Sequence, residues 1–149
     1  MITVKEIEYH DIDKGFLEVL DNLVLTNIDN EFAKEILKEI KLNPLHRIFV
    51  AKDDEHDLIV GTTTLLIEPK FINKGMRVGY IEDVSVRKGY ERLGIGRQII
   101  DYATNSAREI YKCQKVLLYC SEQNKTFYEK LGYRLTSNTY VMKIEFSAT

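Results

Sequence analysis

Residues Tyr80–Gly96, YIEDVSVRKGYERLGIG, constrain this chain more than any other stretch. They read as a strand, a short basic loop and the start of a helix. Two adjacent acids, Glu82 and Asp83, sit inside the strand, where burying charge without a partner is costly. Gly94 and Gly96 open the helix, and a glycine-bearing loop running into a helix start presents backbone N–H groups to an anion. The combination points to acid–base chemistry beside a bound phosphate.

The other 132 or so positions set the frame around that unit, and 149 residues suffice for one domain, 1–149, with a proper core. Apolar residues make up 44% and charged residues 30%, the balance of a soluble globular chain. A net charge of -2 gives no global attraction to nucleic acid or to an anionic membrane surface. No apolar run approaches the roughly 18 residues that cross a bilayer. The acidic, alternating start MITVKEIEYHDIDKG is neither a secretory signal nor an Arg-rich transit peptide, so a cytoplasmic location is expected. Cys113 and Cys120 have no close Cys or His companions, so no metal site is expected. Cys120 reads as a small buried hydrophobe, and His10, His46 and His56 as surface or packing residues.

Periodicity orders the elements. Thr3–Ile7 alternates like a first strand. A helix from Asp13 carries Phe16, Val19, Leu20 and Leu23 on one face. Asp29 or Asn30 caps a second helix, with Phe32, Ile36, Leu37 and Ile40 inward, ended by Asn43-Pro44. Arg47–Lys52 and Leu58–Ile67 form a hairpin around the polar tip Asp53–Asp57. Pro69 to Gly79 is a basic excursion, and strand Tyr80–Val86 follows. The helix from about Ile95 to Ile110 keeps Ile95, Ile99, Ala103 and Ala107 on one stripe. Lys115–Cys120 is a buried-type strand, Asn124–Leu131 a short helix ended by Gly132, and Thr139–Phe146 a final alternating strand. The order β-α-α-β-β-β-α-β-α-β gives an α/β layer with helices covering a mixed sheet.

This order, together with Tyr90-Glu91-Arg92-Leu93-Gly94-Ile95-Gly96, resembles the GCN5-related N-acetyltransferase (GNAT) family, whose pyrophosphate loop reads Arg/Gln-x-x-Gly-x-Gly/Ala. Within it, LIEPKFI (Leu66–Ile72), GYIEDVSV (Gly79–Val86) and CSEQNKTFYEKLGY (Cys120–Tyr133) resemble the glucosamine 6-phosphate N-acetyltransferase branch over about Leu58 to Lys143. The resemblance implies the GNAT fold: a central mixed sheet of six to seven strands with a splayed central pair, flanked by about four helices. It implies acetyl-CoA as co-substrate, glucosamine 6-phosphate as acceptor, and a homodimer with shared active sites.

On that likeness, Arg92, Leu93, Gly94, Ile95, Gly96 and Arg97 hold the pyrophosphate. The pantetheine arm pairs with Val84, Ser85 and Val86, and Asn124, Tyr128 and Lys130 also meet the cofactor. Glu82 and Asp83 orient the ammonium and remove its proton, with the base undecided between them. Strand alternation alone would send these two acids to opposite faces, and the family's bulge in this strand splays it from its neighbour. The Val84 N–H is a candidate oxyanion donor, and the Tyr128 hydroxyl donates to the departing sulfur. Thr26, Lys70, Phe71, Lys115, Tyr119 and Lys143 fall at substrate-side positions, Lys143 serving the neighbouring subunit. Three departures stand out. Glu91 replaces the leading Arg or Gln, and is expected to turn away while Arg92 compensates. Tyr119 stands where the family has an aspartate, and Lys143 where it has an arginine. Rival readings are a GNAT enzyme acting on a protein N-terminus, lysine or polyamine, and a non-catalytic acetyl-CoA sensor.

Overall fold

The computed structural model describes residues 1–147. It divides into two compact units, Met1–Tyr119 and the segment beginning at Cys120, each described by itself. In the first unit five strands pair in chain order: β1 (Ile2–Glu6), β2 (His46–Asp53), β3 (Leu58–Pro69), β4 (Arg77–Val86) and β5 (Lys115–Leu118). The first four form an antiparallel meander, and β5 joins β4 in parallel. A parallel neighbour needs a crossover, which α4 (Ile95–Glu109) supplies.

Side-chain alternation assigns the two faces of the sheet. Ile48 and Val50 of β2 and Ile59 of β3 pack with Leu17 and Val19 of α1 (Phe16–Asp21) and with Ala33 and Leu37 of α2 (Asn30–Lys41). Ala51 and Val60 face the other way, onto Ile95 and Ile99 of α4. Helix α4 lies close at Gly61, where an added Cβ would collide with Ile99 Cδ1 and crowd Ile95. Covered on both faces, β3 is buried almost throughout, which explains its continuous apolar and threonine sequence.

Most elements fall where periodicity places them, with corrections at their ends. The first helix does not run on from Asp13. A 3-10 turn, Tyr9–Lys14, stops at Gly15, whose φ of 82° breaks the rod before α1 begins. Phe32 (49%) is exposed rather than inward, because α2 buries the neighbouring Ala33 and Leu37 stripe; Leu23 (50%) lies past the end of α1, and Ile36 (36%) faces inward onto an open cavity. Between β3 and β4 the chain makes a single four-residue turn, α3 (Ile72–Gly75), and β4 starts at Arg77 instead of Tyr80. Asp29 is the cap of α2, its carboxylate accepting from Phe32 N–H at 2.8 Å.

In the second unit a 3-10 turn, Glu122–Asn124, leads into α5 (Lys125–Lys130). The expected strand Thr139–Phe146 is not a strand among the described residues, so the sheet has five strands rather than six or seven. Tyr140, Val141, Met142, Ile144 and Phe146 are 70–91% exposed. Alternation makes a segment fit for pairing, but backbone groups still need a neighbouring strand to pair with. Cys120 is likewise exposed rather than buried, because β5 ends two residues before it. Among the described residues no helix is long and apolar enough to cross a membrane.

Candidate active site

The β3–β4 ladder loses step at the two acids. Thr62 faces Ser85 and Thr64 faces Glu82, so Thr63 alone opposes both Asp83 and Val84. This is a β-bulge, with Asp83 as the left-handed residue at φ 50°. Asp tolerates that region better than most side chains, though glycine fits it best. Thr63 Oγ1 donates to the Glu82 carbonyl at 3.0 Å and fills the broken ladder. On the other edge the β4–β5 pairing ends at Ile81 and Leu118. Asp83 and Val84 therefore have no strand partner among the described residues, and the sheet is open there.

The bulge also undoes the alternation that would part the acids. Both Glu82 and Asp83 line one cavity of about 400 Å³ between the sheet, α1 and α2. Its wall is otherwise mostly aliphatic, broken by Thr26, Thr62, Thr64 and His46. Partial burial raises the Glu82 carboxyl above the usual carboxylate range, and the Asp83 charge adds to the shift. The sequence suggests a surface or packing role for His46. It stands on this wall, with burial lowering its pKa and favouring neutral imidazole. Thr26 is fixed by Asp21, whose Oδ1 accepts from both its N–H (2.7 Å) and its hydroxyl (2.8 Å).

After β4 the chain forms an anion-shaped turn. Gly94, at φ 80°, is the N-cap of α4 and no side chain caps that end. Gln98 N–H makes the first bond back to Gly94, at 3.1 Å. The amides of Ile95, Gly96 and Arg97 precede it, ahead of the helical hydrogen-bond ladder. With the helix dipole they suit a pyrophosphate. Arg92 and Leu93 are exposed beside them, and Arg97 lies 3.5 Å from Asp101. Glu91 folds back on the turn: Gly89 N–H donates to Oε2 at 2.7 Å and Asn22 Nδ2 to Oε1 at 3.3 Å. Backbone hydrogen bonds hold its carboxyl below its ordinary pKa.

The strand between bulge and loop is partly committed. Ser85 Oγ is buried and donates to the Val19 carbonyl at 2.6 Å, and its backbone pairs with Thr62 of β3. The Val86 carbonyl accepts from Asn22 Nδ2 at 2.7 Å. Asn22 thus bridges strand and loop, and no motif in the sequence marks it. Of the substrate-side residues in the first unit, only Thr26, Glu82 and Asp83 share the cavity. Lys70 pairs with Glu68 at 2.6 Å, while Phe71, Lys115 and Tyr119 are exposed.

In the second unit Tyr128 is 8% exposed and stacks edge-on with Phe127 and Tyr133. Burial pushes its hydroxyl up to about 12, so it stays a proton donor at neutral pH. Asn124 is the N-cap of α5 but makes no side-chain capping bond, leaving its amide free of that task. Lys130 is exposed, and Lys143 pairs with Glu145 at 2.5 Å.

The profile of the Acetyltransferase (GNAT) family matches residues 16–133. This chain belongs to the GNAT acetyltransferase family. Among its relatives is the glucosamine 6-phosphate N-acetyltransferase of Candida albicans, 34% identical over 137 residues, covering 89% of each chain. The Arabidopsis thaliana protein of the same name is 31% identical over 131 residues, covering 87% of each. The crystal structure of glucosamine-6-phosphate N-acetyltransferase from Arabidopsis superposes with a TM-score of 0.88 at 28% identity, over 97% of this chain and 99% of that one. GNAT membership agrees with the mixed sheet, its opening at β4 and the uncapped α4 start.

Proposed function

We propose that this acetyltransferase moves the acetyl group of acetyl-CoA to the amine of D-glucosamine 6-phosphate. The products are N-acetyl-D-glucosamine 6-phosphate and CoA. The β4 bulge carries this reading: it opens the sheet and turns two carboxylates into one cavity at the opening. The relatives' shared activity supplies the acceptor.

The pyrophosphate rests on the amides of Ile95, Gly96 and Arg97, with Arg92 adding charge. The pantetheine arm runs along Val84–Val86. The amine arrives as an ammonium, and Glu82 takes its proton, because a carboxyl with a raised pKa is the stronger base. Asp83 orients the ammonium. The free amine attacks the thioester carbonyl directly, within a ternary complex. The Val84 N–H steadies the developing oxyanion. As the C–S bond breaks, the new C–N nitrogen sheds its surplus proton, and the departing thiolate, hydrogen-bonded by the Tyr128 hydroxyl, takes up one proton in exchange, so CoA leaves as the thiol. Asn124 and Lys130 hold the cofactor.

Among the described residues the cavity wall contains no lysine or arginine, yet a sugar phosphate needs a cation. We assign that role to Lys70, Lys115 and Lys143, with Lys143 given by a second copy in a homodimer. Thr26, Phe71 and Tyr119 complete the acceptor side. Lysine keeps the charge of the arginine found in the family but loses its two-pronged grip.

Release of free CoA with glucosamine 6-phosphate, glucosamine, lysine peptides and spermidine tests the reading. The phosphorylated sugar is expected to react fastest by a wide margin. Equal rates with and without the phosphate would defeat the acceptor assignment. Thermal stabilisation by acetyl-CoA with no turnover on any amine would make the chain a sensor.

A further inference from the structure

Asp53 is the last residue of β2, 37 positions before Tyr90, and is 7% exposed. A buried carboxylate needs donors, and three converge on it. Glu55 N–H donates to Oδ1 at 3.1 Å, His56 Nδ1 lies 2.7 Å from Oδ2, and the Tyr90 hydroxyl donates to Oδ2 at 3.1 Å. The first two lie within the hairpin turn. The third crosses to the turn after β4. Tyr90 lies in the sequence motif of that turn, but none of the roles assigned above uses it.

The Tyr90 ring packs against the Ala51, Val60, Ile95 and Ile99 cluster, and its N–H bonds the Arg87 carbonyl at 2.9 Å. Ring, backbone and hydroxyl are thus each fixed, four residues before Gly94. Arg87 is tied in turn to the carbonyls of Ile59 (2.8 Å) and Gly15. We infer that Asp53 is a positioning residue for acetyl-CoA: through the Tyr90 hydroxyl it holds the turn that delivers the Ile95–Arg97 amides to the pyrophosphate. The inference rests on reading those amides as the pyrophosphate site. A hydrogen bond made by a charged group resists swinging of the turn without touching the reacting atoms.

The test compares acetyl-CoA with S-acetylpantetheine, which has the thioester but no pyrophosphate. Tyr90→Phe should lower kcat/KM for acetyl-CoA about fivefold, through KM, the loss expected for one hydrogen bond. It should leave kcat/KM for S-acetylpantetheine unchanged. Asp53→Asn should repeat the pattern, and the double variant should be no worse than Asp53→Asn alone. An equal fall with both donors, or no fall with either, overturns the inference. If the wild-type protein uses both donors equally well, the pyrophosphate reading itself fails, and the two failures are thereby told apart.

Discussion

The two sides of β4 are built from opposite materials. The turn after the strand offers backbone amides, exposed arginines and a web of ties to Asp53, Asn22, Ile59 and Gly15. The cavity before it offers aliphatic walls, three threonines, an imidazole and two carboxylates. The first suits a large anion. The second suits an ammonium but has, among the described residues, no lysine or arginine in its wall for a phosphate. A bisubstrate site divided in this way grips the coenzyme with backbone, which tolerates sequence change. It handles the acceptor with side chains, which do not.

Glu82→Gln should break the comparison most severely. Turnover should fall about a thousandfold, within the range of a lost general base, while calorimetry finds acetyl-CoA affinity unchanged. A matching loss of affinity would place Glu82 on the coenzyme side instead. Tyr128→Phe should lower kcat about a hundredfold, the scale of one lost transition-state donor, again with little change in acetyl-CoA binding. Lys143→Ala should raise KM for the phosphorylated sugar about tenfold, the size of a lost charged hydrogen bond. It should spare KM for acetyl-CoA, and equal effects on both would count against it.

On the coenzyme side, Gly94→Ala meets no steric obstacle but must hold a φ of 80°. That conformation costs an alanine about 1 kcal/mol, and KM for acetyl-CoA should rise about fivefold with the sugar KM unmoved. The smallest effect is a shift in pH dependence. Glu82 must be ionised to accept a proton, so kcat/KM rises with pH as its raised pKa is passed. Asp83→Asn removes the charge that helps raise it, so the acid limb should move to lower pH whatever happens to the maximum. A limb that stays in place would assign it to another group.

Local pattern carried much of this into view. Alternation and helical stripes place β2, β3, α2 and α4 within a few residues, because burial on one or both faces imposes those periods. The acids and glycines of 82–96 were legible because their chemistry is written in adjacent positions. Other features depend on partners far along the chain. Phe32 turns outward because Ala33 and Leu37 fill the contact below α2. Thr139–Phe146 has the alternation of a strand but no neighbour among the described residues. Asn22 and Asp53 act through residues 69 and 37 positions away, a separation at which no motif registers. His46 reaches the cavity wall because β2 begins there, one residue earlier than expected.

Asp83 has a consequence for how this site can change. It is an inserted step that leaves β3 and β4 out of phase beyond it. Removing that single residue would bring the two ribbons back into phase. Val84 alone would then oppose Thr63, while Ser85 would still face Thr62 and Val86 would still face Gly61, so the anchor of Ser85 on α1 would stay in place. The extra residue therefore makes the opening and aims the acids beside it, while the strand that follows keeps its own register, so the two could change separately.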